Sequence, residues 1–188
     1  MSFKRTTPSG FTLLELIIVL VILAVLAVFA APRMLNISSD GKAADVRALA
    51  AVITTQNQLA LAKSNLANIA TLKGCSFQCD NNPNWDVKVG EYFIDASGTR
   101  LYVSLGYPIS PLSPSSVVND NYRTVFGLSE ELFHITVARA DNFATAIVPA
   151  ASKDKLVEIE SGQYRCHVVY SSPTRSRNYS VTAYTDDC

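Results

Sequence analysis

The sequence predicts an α+β protein in which a long amino-terminal α-helix, apolar on all sides in its first half and amphipathic in its second, packs on an antiparallel β-sheet. Three observations carry this. Residues 11–31 form a 21-residue apolar stretch interrupted by a single charge, Glu15. Beyond Pro32 apolar residues recur at helical spacing as far as Leu72. After Lys73-Gly74 the alanines thin out, and Tyr, Val, Thr, Ser and Pro take over, as strands and turns require.

Bulk composition bounds the function without choosing it. The chain has 188 residues, with 16 basic side chains against 16 acidic ones, so net charge draws it neither to nucleic acid nor to an acidic surface. Hydrophobic residues make up 48% of it, but the excess lies in residues 11–31 and points to a membrane segment rather than to a large core. The 4 cysteines, Cys75, Cys79, Cys166 and Cys188, are an even set that fits an oxidising compartment, with three pairings open. No segment is of low complexity, and no solenoid or propeller repeat occurs.

As a helix, the stretch from Phe11 to Ala31 spans roughly 30 Å, the hydrocarbon thickness of a bilayer. Lys4 and Arg5 precede it, whereas Arg33, Asp40, Lys42, Asp45 and Arg47 follow with mixed sign, which places Met1 in the cytoplasm and the bulk of the chain on the exported side. A secretory signal would be cut at the far end of its apolar run, where Ala27, Ala30 and Ala31 could imitate the site. Here Pro8-Ser9-Gly10 offers a junction before the run, and cutting there keeps the helix on the mature chain. The reading divides the chain into a leader (1–10), a membrane half of the helix (11–32), an exported amphipathic half (33–73) and a globular region (74–188).

A carboxylate inside a membrane segment costs about 2.5–3.5 kcal/mol, so Glu15 calls for a partner. After cleavage the nearest cation of its own chain is the α-amino group of Phe11, four residues away. The plainer alternative is that Glu15 snorkels to the cytoplasmic interface.

Residues 10–36, GFTLLELIIVLVILAVLAVFAAPRMLN, resemble the signature of the type IV pilins. The resemblance implies that a prepilin peptidase cuts after Gly10 and methylates the new terminus at Phe11. It makes Glu15 the glutamate that pairs with the amino terminus of a neighbouring subunit, which agrees with the rule that a buried carboxylate needs an opposite charge. It makes Pro32 a bend or unwound point of the long helix, as loss of a backbone hydrogen bond would allow. The implied partners are identical or related pilin subunits, the peptidase and the inner-membrane assembly platform. The implied location is a single-pass inner-membrane precursor, then an extracellular pilus of a Gram-negative-type envelope.

Past Pro32, Val46, Leu49, Ile53, Leu59, Leu66 and Ile69 continue the helical pattern, so one helix is expected from Phe11 to Leu72, interrupted near Pro32. Glu91–Ile94, a turn at Asp95–Gly98 and Thr99–Leu105 read as a hairpin. Leu132–Ala138, Ala144–Val148, Tyr164–Tyr170 and Tyr179–Thr185 supply further strands of one sheet. Between them Gly106–Pro114 carries three prolines and is expected as a loop or short turns. The stretch from Cys166 to Cys188 resembles the cysteine-closed end of pilins and, with Gly106-Tyr107-Pro108, is similar in particular to the mannose-sensitive haemagglutinin pilins. A Cys166–Cys188 bridge would contribute roughly 3 kcal/mol by closing its loop. The Cys75/Cys79 pair departs from the simplest pilin pattern.

Other motifs give way to plainer readings. Cys75-x3-Cys79 with His134 or His167 lacks the usual zinc spacing, and a local loop disulfide is expected instead. Asp80, Asn82, Asn84 and Glu91 meet four positions of a calcium-loop template, but Trp85 stands where glycine is required and Lys88 brings a cation, so no metal is expected. Arg175 and Arg177 are too few for a nucleic-acid stripe, and the Asn36 and Asn178 glycosylation triplets carry little weight. No nucleophile elbow, phosphate loop or paired histidine ligands occur, so neither an enzyme nor a cofactor is expected. The reading is a structural subunit of a type IV pilus, similar to the mannose-sensitive haemagglutinin type, polymerised through its helix and supporting surface attachment. The alternative is a type II secretion pseudopilin forming a periplasmic piston, and a further one an anchored periplasmic ligand-binding domain. Loss of the leader changes side-chain charge from zero to −2, since Lys4 and Arg5 leave with it.

Overall fold

A computed structural model describes residues 12–75 and 79–188, and the backbone alone at 28–37. The architecture is α+β, an amino-terminal helix followed by antiparallel sheets of the type IV pilin-like kind. The chain divides into two compact units, Met1–Gly41 and Lys42–Cys188. Helix α1 is assigned from Leu13 to Leu66, so it ends before Leu72, and Pro32 lies within it rather than interrupting it. Leu72 instead stands in the turn after the helix, where its carbonyl accepts the N–H of Leu105 at 2.8 Å.

In the first unit, residues 13–26 carry apolar side chains on every side of the helix, from Val19 at 42% exposed to Leu13 at 76%. Among the described residues of this unit, none covers them.

In the second unit α1 buries one stripe, Ala43, Val46, Leu49, Ile53, Asn57, Ala60 and Ser64, at steps of three and four residues. The pattern read from sequence holds to Ile53 and then departs. Leu59 and Leu66 are exposed, and the stripe passes instead through small or polar residues. Asn57 Nδ2 donates to the Ile53 carbonyl at 2.7 Å and Ser64 Oγ donates to the Gly106 carbonyl at 3.3 Å, while Asn57 Oδ1 is buried with no hydrogen-bond partner among the described residues.

The expected single sheet is two four-stranded sheets. The first joins β1 (Trp85–Asp86), β2 (Glu91–Ala96), β3 (Thr99–Ser104) and β4 (Tyr107–Pro108), each antiparallel to the next. Two turns close it: Ser97 and Gly98, then Leu105 and Gly106, have positive φ at both positions, the conformation that matches strand twist in two-residue hairpins. Pro108 tolerates a strand here because this is an edge. The second sheet is a meander of β5 (Phe133–Ala138), β6 (Ala144–Pro149), β7 (His167–Ser171) and β8 (Ser180–Tyr184). Helix α2 (Ser116–Phe126) lies between the sheets in sequence and α3 (Leu156–Glu160) between β6 and β7.

Four of these elements, β1, β4, α2 and α3, were not expected from the sequence. Helix α2 is legible afterwards in Val118, Tyr122 and Phe126, its buried residues, and in Gly127, which ends it in the left-handed conformation. Tyr122 stacks on Phe126 with centroids 4.0 Å apart. Strand β4 was hidden by the prolines around it.

One core joins the α1 stripe to both sheets: Val46, Ile53 and Ile69 share it with Ile94, Leu101, Tyr122, Ile147, Val168 and Tyr170. A smaller cluster lies on the other face of the second sheet, where Ile159 of α3 meets Ala138, Ala146, Val148 and Val169. Strand β6 is therefore buried on both sides. The sheets are tied by Tyr170, whose hydroxyl donates to the Pro108 carbonyl at 2.6 Å, and by the Ser110–Thr145 hydroxyl pair at 2.6 Å.

Replacing Ile53 with alanine is expected to cost about 2–5 kcal/mol, as for other fully buried aliphatics, whereas Val52→Ala on the open face should cost well under that. Gly106→Ala should also destabilise, since an added Cβ would lie 2.8 Å from Leu61 Cδ1 and 3.1 Å from the Ala70 carbonyl oxygen at a residue with φ of +82°. Urea unfolding of the three variants in mild detergent, followed by circular dichroism, checks both expectations.

Candidate functional site

The first site lies at the start of α1. Thr12 stands just before the helix, and its Oγ1 accepts the backbone N–H of Glu15 at 3.3 Å, while its carbonyl accepts those of Glu15 and Leu16 at 3.1 and 3.2 Å. Thr12-Leu-Leu-Glu15 fits the Ser/Thr-x-x-Glu capping pattern, the signal in the sequence for this helix start. Glu15 falls in the first helical turn, where the helix dipole favours a negative charge. Among the described residues no side chain pairs with its carboxylate. Gly10 and Phe11 lie outside the described residues, as do the side chains around Pro32. Among the described residues no helix is long and apolar enough to cross a membrane. The described side chains of this stretch run from Thr12 to Ala27, about 24 Å of helix.

The second site closes the chain. Cys166 and Cys188 are bonded with Cα atoms 4.9 Å apart, so the final residue is fixed to the start of β7. Two contacts reinforce the closure: Asp187 Oδ2 accepts the Arg165 N–H at 2.7 Å, and the Asp187 N–H donates to the Arg165 carbonyl at 3.2 Å. Cys75 and Cys79 form a second, local bridge with Cα atoms 5.7 Å apart.

Neither metal motif assembles. His134 is on β5 and His167 on β7, and the two cysteines that would have completed a zinc set with either of them, Cys75 and Cys79, are bonded to each other. In the calcium-like loop, Asn82 Oδ1 accepts the Asn84 N–H at 2.9 Å, and Asn84 Nδ2 donates to the Phe93 carbonyl at 3.1 Å, so both amides serve the loop itself. Asp80 sits in the short turn Cys79–Asn81, and Glu91 begins β2. Burial pushes the Glu91 carboxyl up, with Lys73 opposing. Among the described residues no group of three or more His, Cys, Asp or Glu side chains could hold a metal. Arg175 and Arg177 lie on a tight turn in which Thr174 and Arg177 bridge.

His167 is 1% exposed, and both its ring nitrogens lack a hydrogen-bond partner. Its ring lies 5.3 Å from that of Tyr184, whose hydroxyl donates to Asp141 at 2.7 Å. Burial, aided by Arg165 and opposed by Asp141, lowers its pKa to about 4.

The chain is thus α+β, and its opening helix carries apolar side chains on all sides with one glutamate in its first turn. Residues 6–31 match the family described as the prokaryotic N-terminal methylation motif. That stretch includes Gly10, Phe11 and Glu15, and the match supports a type IV pilin or pseudopilin, processed by prepilin peptidase. No curated protein and no solved structure matches the chain.

The buried His167 contributes to the acid side of the stability profile. The unfolded imidazole takes up a proton near pH 6.5 and the folded one only at about 4, so this contribution is whole above 6.5 and lost as pH falls through that window. The loss should approach about 3 kcal/mol. Urea unfolding from pH 7 to 4 should show it, and His167→Phe should flatten that part of the curve. Cutting the terminal bridge by Cys166→Ala with Cys188→Ala is expected to cost about 2–4 kcal/mol in the same measurement, since the bridge constrains the unfolded chain.

Proposed function

We propose that the chain is a structural subunit of a type IV pilus rather than an enzyme: its leader is cut after Gly10, Phe11 is methylated, and the mature chain polymerises through α1. The single observation that supports this best is the coincidence of the methylation motif with an all-apolar, uncovered helix carrying Glu15. Keeping each large apolar side chain out of water is worth about 1.5–3 kcal/mol, so once the helix leaves lipid it is held among identical helices packed side by side in a filament core. Glu15 then meets the amino group of a neighbouring Phe11 and offsets the cost of taking a carboxylate out of water. Pro32 relaxes the helix during packing, because it has no N–H to give to the carbonyl four residues back.

A pilus is preferred to a secretion piston because the Cys166–Cys188 bridge fixes the carboxy-terminal end, where the resembled pilins are cysteine-closed. The motif itself supports both readings equally. The likeness to mannose-sensitive haemagglutinin pilins and a role in surface attachment rest on Gly106-Tyr107-Pro108 and that same closure. In this reading the precursor spans the inner membrane once and the mature chain ends in an extracellular filament.

Mass spectrometry of sheared surface filaments is expected to find abundant peptides beginning with methylated Phe11. Glu15→Ala should abolish filaments while leaving cleavage after Gly10 intact. Methylated protein confined to the envelope, with no filament peptides, would move the assignment to the pseudopilin. Normal filaments in the Glu15 variant would remove the pairing role.

A further inference from the structure

A cavity of about 660 Å³ opens where β1, the turn after it, the β2–β3 hairpin and α2 meet. It is built around Arg100. The guanidinium lies on the face of Phe93, 4.5 Å from the ring centroid, and Nη1 donates to Asp86 Oδ2 at 2.9 Å. Held from two sides, the Arg100 side chain still has 57% of its surface open.

Asp86 positions this group and has nothing left to offer a ligand. Its Oδ2 also accepts the Tyr102 hydroxyl at 3.0 Å, and its Oδ1 accepts the N–H groups of Lys88 and Val89 at 3.0 and 3.3 Å. Only 10% of its side chain is exposed. Burial pushes its carboxyl up, but those hydrogen bonds outweigh burial and keep it below its ordinary range.

The remaining groups are unspent. Among the described residues Arg100 gives one side-chain N–H to a protein acceptor, which leaves the rest of its fork for another. Lys88 also lines the cavity, with no ion pair among the described residues. Two cations against one saturated carboxylate leave the cavity net positive. Asn121 donates Nδ2 to the Arg100 carbonyl at 2.8 Å, which holds the amide in place and leaves Oδ1 to accept. Trp85 forms an apolar wall, fixed edge-on by Tyr92 with centroids 4.8 Å apart, and Val117 adds a second at 46% exposed.

We propose that this cavity binds an acidic sugar, a pyranose ring bearing a carboxylate, as in the uronic-acid units of a polysaccharide. The Arg100 fork and Lys88 take the carboxylate, Asn121 takes a ring hydroxyl, and Trp85 with Val117 covers the apolar face of the ring. A neutral hexose leaves both cations without a partner. An aromatic carboxylate has no hydroxyl for Asn121.

This goes beyond the filament reading and does not rest on it. The chain has one tryptophan, Trp85, so its fluorescence reports on this cavity alone. Full-length protein in mild detergent is titrated with trigalacturonate, with the neutral galactose trisaccharide and with benzoate. A saturable change is expected with trigalacturonate only, weakening as salt rises. Arg100→Lys, which keeps the charge but loses the fork and the stacking, should bind about tenfold more weakly. Lys88→Gln, at an exposed side chain whose loss leaves the fold intact, should weaken binding about threefold and reduce the salt dependence. Absence of a response to trigalacturonate, equal responses to the acidic and neutral sugars, or benzoate binding as well as trigalacturonate would each overturn the proposal. So would unchanged binding in Lys88→Gln, which decides the matter even if Arg100→Lys fails to fold. Filament formation is not read in this experiment, so failure here leaves the pilus assignment standing.

Discussion

The burial of one stripe of α1 against two sheets is the constraint on which the unit Lys42–Cys188 depends. Val46, Ile53 and Ile69 are fully buried and belong to the same core as Ile94 and Leu101 of the first sheet and Ile147, Val168 and Tyr170 of the second. The sheets share no ladder hydrogen bonds with each other. What joins them is the common core, the Tyr170–Pro108 and Ser110–Thr145 hydrogen bonds, and the packing of Tyr107 on Tyr179 with centroids 4.5 Å apart. A change in the stripe is therefore felt in both sheets. The same constraint explains the small residues late in the stripe: the backbone at Gly106 comes so close to Leu61 and Ala70 that larger side chains at Ala60 and Ser64 would compete for the room.

The first unit meets the opposite situation. From Leu13 to Leu26 the helix has apolar side chains all round, and no described residue of this unit covers them. Such a helix is at ease in lipid or among like helices, and the two environments differ little in apolarity. Transfer from one to the other then turns on packing and polar groups, which leaves Glu15 as the group with most to gain. A carboxylate in lipid is strained, and one beside a neighbour's amine is not.

Much of this was legible in the sequence because periodicity and turn chemistry are local. The hairpin at Asp95–Gly98, the four strands of the second sheet and the helix through Ile53 follow from spacing alone. What was lost depends on tertiary contact. Leu59 and Leu66 look like core residues by type, yet Asn57, Ala60 and Ser64 take those places because the sheet approaches closely there. Division into two sheets is invisible in strand patterns, since neither the alternation in β2 nor the continuous burial of β6 says which strand lies beside which. Helix α2 was obscured by polar residues at Asn119, Asp120 and Asn121, two of which are engaged in loop and strand contacts. The methylation motif was plain, whereas the Thr12 cap shows only in the backbone, through the Glu15 N–H that its hydroxyl accepts.

Glu15 and Asp86 show why a carboxylate's environment, and not its type, decides its role. Asp86 has four donors on its two oxygens, so its bonding is complete within the chain and its charge is used to hold Arg100. Glu15 has only its backbone N–H engaged, by Thr12, and its carboxylate sits free of side-chain partners among the described residues. The Thr12 cap and the helix dipole make this a good place to begin a helix, and the dipole favours a negative charge in the first turn. That local gain, about 0.3–1 kcal/mol, is smaller than the roughly 2.5–3.5 kcal/mol that a carboxylate costs inside a membrane segment. In the proposed filament the difference is offset by an opposite charge on a neighbour, and the amino group of a second processed chain would supply it.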